Sequence, residues 1–197
     1  MSTGRLVVGV TGASGAIYAQ RFLRQAVKRY DEIYLIMSEQ AVQVAATELG
    51  VELSRSGFST RAWLGEDYPQ VRLLDGKDYF TPPASGSFRH DGMVIVPCSM
   101  GSAGRIAHGI SDDLLTRSAD VALKEKRPLI VVPREMPMSA IMLRNLTTLA
   151  ESGATVIPAC PAWYHKPASL EELADTVVAR ILQALGWEQD LMKEWMS

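Results

Sequence analysis

Cysteine is scarce in this chain of 197 residues: there are two, Cys98 and Cys160, far apart and in no C-x-x-C pair. That excludes a disulfide framework and the usual zinc and dithiol-redox motifs. An excess of one charge is missing too. Twenty basic side chains against 22 acidic ones leave a formal net charge of −2, whereas a nucleic-acid binder usually carries a basic excess or stripe. No apolar run reaches the roughly 18–20 residues of a membrane-spanning helix, and no stretch reads as a secretory leader. The expectation is a cytoplasmic protein with neither membrane nor nucleic-acid partner. The histidines, His90, His108 and His165, have no metal-binding spacing and are expected in loops or at the surface, with no metal site. No G-K-[ST] exists, hence no P-loop. No low-complexity or single-charge tract suggests disorder. Apolar residues, by contrast, make up 47% of the chain, enough at roughly 100–200 residues per domain for one full core.

Strand-like and helix-like segments alternate. A Val-rich apolar run over 6–10 is too short for a helix and reads as a strand buried on both faces. Ala19, Phe22, Leu23, Ala26 and Val27 then fall on one helix face. A strand over 32–37 and a helix over 39–49 follow, with Ser38 as N-cap. The stretch 51–90 is less regular, with a short helix near 59–64 and a strand near 71–74. Strands are predicted over 93–96, 129–132 and 155–157, and helices near 103–108, 112–125 and 138–152. In the last helix Ser169 and Glu172 make a capping box, and Leu170, Leu173, Val177, Val178, Ile181 and Leu182 keep one apolar face. Such alternation predicts an α/β fold, a Rossmann-like three-layer sandwich with a mainly parallel sheet. Residues 1–187 make one domain, and 188–197 a C-terminal tail that packs over a site.

In such sheets ligands bind beyond the carboxyl ends of the strands. Gly9, Gly12 and Gly15 run from the first strand into the first helix, where small residues let a phosphate approach backbone N–H groups, and Ser14 adds a hydroxyl. The spacing is not the dinucleotide G-x-G-x-x-G. Nor is it the G-x-S-x-G elbow of serine hydrolases, since the second glycine comes one position early. The same end of the sheet takes Pro97-Cys98-Ser99-Met100-Gly101-Ser102, expected as a loop. Arg134, directly after the strand over 129–132, is well placed for a phosphate. Lys124 lies near a helix C-terminus, where a cation is often only a dipole complement. Arg180 borders the apolar stripe of the last helix, and Tyr164 follows the last strand.

Five segments taken together resemble one family in order and over nearly the whole chain: Gly12-Ala13-Ser14-Gly15-Ala16-Ile17-Tyr18, Pro97-Cys98-Ser99, Ala119-Asp120-Val121-Ala122-Leu123-Lys124-Glu125, Val132-Pro133-Arg134-Glu135 and Pro161-Ala162-Trp163-Tyr164. They resemble the UbiX flavin prenyltransferases, within the group of homo-oligomeric flavin-containing Cys decarboxylase folds. The resemblance implies transfer of a dimethylallyl group, from dimethylallyl monophosphate, to N5 and C6 of reduced FMN without a metal. It also implies a homododecamer whose product, prenylated FMN, serves a UbiD-type decarboxylase. Carried over by position, Gly12, Ala13, Ser14, Ser38, Ser99, Met100, Gly101, Ser102 and Arg134 would bind FMN. Lys124, Arg134, Tyr164 and Arg180 would converge on the prenyl phosphate, and Trp195 would cover it. Glu48 matches a carboxylate near that phosphate, and Glu135 one beside the flavin. The expected proton relay is Ser14 with Glu135, and the expected catalytic set is Ser14, Glu48, Lys124, Arg134 and Glu135. Many members carry Lys-Thr where this chain has Gly101-Ser102.

Two alternatives fit less well. Flavin-dependent Cys decarboxylases of this fold resemble a P-A-S-A-N-T motif, yet here Pro83-Ala84-Ser85-Gly86-Ser87 lacks the Asn, and residues 1–89 hold no histidine. A non-catalytic flavin-binding protein would keep the glycine loop without needing Lys124, Arg134, Tyr164 and Arg180.

Overall fold

The computed structural model describes residues 4–54 and 56–192. Among these, β1 (Arg5–Val10), β2 (Glu32–Met37), β3 (Val71–Leu74), β4 (Gly92–Cys98), β5 (Leu129–Pro133) and β6 (Thr155–Val156) form one sheet. Its order is β3-β2-β1-β4-β5-β6, with every neighbouring pair parallel. The connecting helices are α1 (Ala16–Ala26), α2 (Glu39–Leu49), α3 (Thr60–Leu64), α4 (Met100–Ala107), α5 (Leu114–Lys124), α6 (Ala140–Glu151) and α7 (Leu170–Ala184).

Unbroken apolar strands are explained by two cores. Leu6, Val8 and Val10 of β1, with Ile33, Leu35 and Met37 of β2, pack on Phe22 and Leu23 of α1 and on Val177, Val178 and Ile181 of α7. Their alternate neighbours Val7, Tyr34 and Ile36, with Met93 and Ile95 of β4, pack on the other side against α4 and α5 through Ala103, Ile106, Leu114 and Ala119. The inner strands β1, β2, β4 and β5 therefore have no solvent face, and the three layers follow. A bidentate ion pair, Arg21 Nε to Asp175 Oδ1 at 2.8 Å and Nη2 to Oδ2 at 2.5 Å, clamps α1 to α7.

Boundaries moved where local chemistry differs from pattern. The segment expected as a loop, Met100-Gly101-Ser102, is the first turn of α4. Ser99 caps it, its Oγ accepting from Ser102 N at 3.3 Å, and Met100 is buried in the second core rather than free to face a ligand. Strand β4 runs on through Pro97 to Cys98, which pairs with Pro133 after a register shift, because Pro97 has no N–H for the ladder. Helix α6 starts later than expected, at Ala140, capped by Ser139. In the box before α7, Ser169 Oγ accepts from Glu172 N as expected, while Glu172 Oε2 accepts from Ala168 N, one residue earlier than a standard box. His90 lies in a loop, as expected, but is buried, with Nδ1 2.9 Å from Gly92 O. Among the described residues no helix is long and apolar enough to cross a membrane.

Candidate active site

The chain turns from one half of the sheet to the other between β1 and β4, the switch point where open α/β sheets bind ligands. Short ties pin the strand ends there. Ser38 N donates to Val10 O, Thr11 N to Pro97 O, Arg134 N to Cys98 O and Ala159 N to Pro133 O, at 3.0–3.2 Å. Thr11, buried, adds its hydroxyl: Oγ1 donates to Pro97 O at 3.0 Å and accepts from Ser99 N at 2.6 Å. The loops after β1 and β4 thus form one surface. Gly12 is required there by contact, since a Cβ would lie 2.5 Å from Gln40 Cβ of α2. Gly15, the N-cap of α1, needs its freedom for φ +109°.

The first helix end holds a surprise in its charge. Glu48, at the far end of α2, docks its carboxylate on α1, with Oε2 accepting from Gly15 N at 2.9 Å and Ala16 N at 2.8 Å. The Ser14 hydroxyl is bonded to the same carboxylate. Burial pushes the Glu48 pKa up, but Ser14, the two backbone N–H groups and the nearby Arg134 outweigh it and hold Glu48 below the ordinary carboxylate value. The N–H groups read as a phosphate cradle are therefore engaged by an ionised side chain. Arg134 Nε donates to Ser14 O at 3.1 Å, so Ser14, Glu48 and Arg134 form one cluster. Glu135 does not join it; its Oε1 accepts from Met136 N. The Ser14 partner in this chain is Glu48, not the Glu135 of the expected relay. Nothing in the spacing of Ser14 and Glu48 signals that contact, although Glu48 had been singled out through the resemblance.

Beside this cluster, Ser38 caps α2 by accepting from Ala41 N at 3.0 Å, which leaves its O–H free to donate. Ser99 and Ser102 share a hydroxyl contact at 3.2 Å. A cavity of about 280 Å³ opens between the starts of α2 and α4, lined by Ser38, Gln40, Lys77, Ser102 and Arg105 among others. Cys98, fully buried, has its thiol pushed by burial to about 12 and is inert as a nucleophile. Lys77 and Arg105 escaped the sequence reading because neither directly follows a strand. A hollow of about 370 Å³ at the opposite end, lined by Arg29 and Trp187 among others, holds none of the residues singled out from sequence. Among the described residues no cluster of three or more metal-binding side chains occurs.

Lys124, expected to meet Arg134, does not meet it within one chain. Lys124 ends α5 and so precedes β5, whereas Arg134 follows it; at ~3.3 Å per residue that strand alone separates them by roughly 15 Å. Lys124 Nζ pairs with Glu125 at 2.7 Å and lies against Gly86. Around it Arg117 Nε donates to Ala84 O, and Arg127 donates to Gly86 O and Phe88 O. Arg180, ten residues into α7 and exposed, donates from Nη1 to Gln183 Oε1 at 2.6 Å. Tyr164 is half exposed, its ring centroid 4.1 Å from that of His165 and its hydroxyl 3.9 Å from Met192 Sδ. Trp195 lies outside the described residues.

The fold and the switch-point cluster define a flavoprotein-type α/β domain, and the family model described as Flavoprotein matches residues 1–183. The flavin prenyltransferase UbiX of Pseudomonas aeruginosa is 44% identical over 195 residues, covering 97% of this chain and 93% of its own. A solved structure, AnUbiX in complex with FMN and dimethylallyl pyrophosphate, superposes with a TM-score of 0.86 at 36% identity, covering 99% of this chain and 98% of that one. Another, a dodecameric FMN-dependent UbiX-like decarboxylase from Escherichia coli, has a TM-score of 0.85 at 35% identity, with 98% and 100% covered. The chain belongs to the UbiX flavin prenyltransferase family.

Proposed function

We propose that this protein transfers a dimethylallyl group from dimethylallyl monophosphate to N5 and C6 of reduced FMN, and that the prenylated FMN passes to a UbiD-type decarboxylase. The observation that carries the reading is the Ser14–Glu48–Arg134 cluster at the switch point of a chain whose full-length relatives are flavin prenyltransferases. The residues present suit a flavin nucleotide: the hydroxyls of Ser38 and Ser102, the backbone N–H of Gly101 in the first turn of α4, and the surface of Gly12 and Ala13 lie at the strand ends. Reduced FMN supplies the nucleophilic atoms of the reaction. Arg134 neutralises the phosphate as the allylic C–O bond breaks, which is stabilisation placed where charge develops. Ser14 with ionised Glu48 behind it accepts the proton given up at the acceptor.

Lys124 enters the same reaction only from another copy of the chain, since one chain holds it at the wrong end of β5. The exposed apolar side chains Met136, Ile141, Leu143, Trp163 and Leu170 favour such assembly, and we take it to be the homododecamer. In this reading Tyr164 and Arg180 bind the prenyl phosphate, residues 1–187 act as one flavin-binding unit in the cytoplasm, and the 188–197 tail, with Trp195, packs over a site. Anaerobic incubation with reduced FMN and dimethylallyl monophosphate, followed by mass spectrometry of the flavin, tests the activity; a parallel incubation with the diphosphate fixes the donor. Gain of one C5 unit is expected, and bound but unaltered FMN in both incubations rejects the reading.

A further inference from the structure

We propose that Arg105 grips a phosphate monoester in the cavity between the starts of α2 and α4, and that this is the terminal phosphate of the flavin nucleotide. The inference rests on the flavin reading and deepens it. In this class of sheet the N-terminus of the first helix is the usual phosphate seat. Here Glu48 already sits on Gly15 N and Ala16 N, and a phosphate dianion brought to the same N–H groups would meet a carboxylate at contact distance. The anion is displaced toward the next helix ends at the switch point, those of α2 and α4. The cavity there, about 280 Å³, is at the small end of the roughly 300–1,000 Å³ range for ligand sites. It suits the phosphate end of a nucleotide rather than the whole molecule.

Arg105 is held as a fork for this purpose. Its Nη1 donates to Asp112 Oδ1 at 2.6 Å and Asp113 Oδ2 at 2.7 Å. Asp113 is itself fixed, because its Oδ1 caps α5 by accepting from Thr116 N at 2.7 Å. The guanidinium plane is therefore set by the start of α5. Nη2 makes one long contact, 3.3 Å to Ser102 Oγ. A guanidinium has five N–H donors, so Nε and one N–H of Nη2 retain capacity for another acceptor. Ser102 Oγ accepts from Ser99 Oγ as well, at 3.2 Å, so the Ser102 hydroxyl links Arg105 to the loop after β4. Lys77 lines the cavity too and adds a second positive charge. Glu39 and Asp113 also line it; Asp113 is engaged with Arg105 and Thr116, which leaves Glu39 as the opposing charge a phosphate must avoid.

Affinity for FMN and for riboflavin, which lacks the phosphate, distinguishes this role from a structural one. The Arg105→Gln variant of the full chain is expected to weaken FMN binding about 10–100-fold and to leave riboflavin affinity unchanged. Equal weakening of both flavins, or no change in either, overturns the inference. So does intact FMN affinity with a raised KM for the prenyl phosphate, which would assign Arg105 to the donor instead. Should Arg105→Gln lose the fold, Arg105→Lys decides, since it keeps a charge for Asp112 and Asp113 but loses the fork. A drop of several-fold in the FMN-over-riboflavin preference is then expected, and an unchanged preference overturns the inference. Failure of the unaltered protein to bind either flavin is a separate result, and rejects the flavin reading itself.

Discussion

The two edges of the sheet carry comparable numbers of cations and treat them in opposite ways. At the carboxyl edge, Arg134 and Arg105 stand among the starts of α1, α2 and α4, where backbone N–H groups and serine hydroxyls already make the field favourable to anions. At the amino edge, Lys124 and Arg127 stand by the end of α5 and the 84–88 loop, and backbone carbonyls absorb much of the donor capacity of Arg127. The same residue types thus build a ligand seat at one end and tie down a loop at the other. Lys124 keeps its charge on a half-exposed side chain paired with its neighbour Glu125, and in the proposed assembly it can be lent to a neighbouring copy.

The largest expected effect comes from a change that spares neither edge. Asp175→Ala leaves Arg21 half-buried without its bidentate partner between α1 and α7, and is expected to cost about 3–5 kcal/mol in urea unfolding. Next, Arg134→Ala is expected to lower kcat/KM for prenylation about 10²–10³-fold with little change in unfolding midpoint. Dissociating and reassembling a mixture of Arg134→Ala and Lys124→Ala chains then sharpens the comparison between edges. Activity above that of either pure sample is expected, and its absence means that the two cations do not serve one shared site. Glu48→Gln is expected to reduce kcat by roughly 10–100-fold. The smallest effect is on acid stability. Because Glu48 sits below the ordinary value of 4.5, its contribution is present above that value and lost as pH falls through its lower folded value. Glu48→Gln, which lacks the titration, is expected to show a shallower fall in stability below pH 4.5 than the unaltered protein, read by unfolding at a series of pH values.

Most of the fold was legible because both cores draw on strands that are apolar throughout and on helices with one apolar face. Met100-Gly101-Ser102 misled because glycine and serine are poor helix formers. The pattern that overrode them, Met100, Ala103 and Ile106 buried on one side of α4, is short. The Glu48 contact was illegible, since it joins residues 33 positions apart through tertiary packing alone. Lys124 is a different lesson. It precedes a strand that Arg134 follows, and in a parallel sheet that order already assigns the two to opposite edges.

Thr11 has a mechanical consequence. β1 and the strands beyond it form one leaf of the sheet, β4 and its neighbours the other, and the Thr11 hydroxyl is the stitch at the spine. Beyond the backbone bond from Thr11 N to Pro97 O, the last two ties between the leaves pass through one oxygen atom, which a swap to valine would erase without altering the side chain's outline.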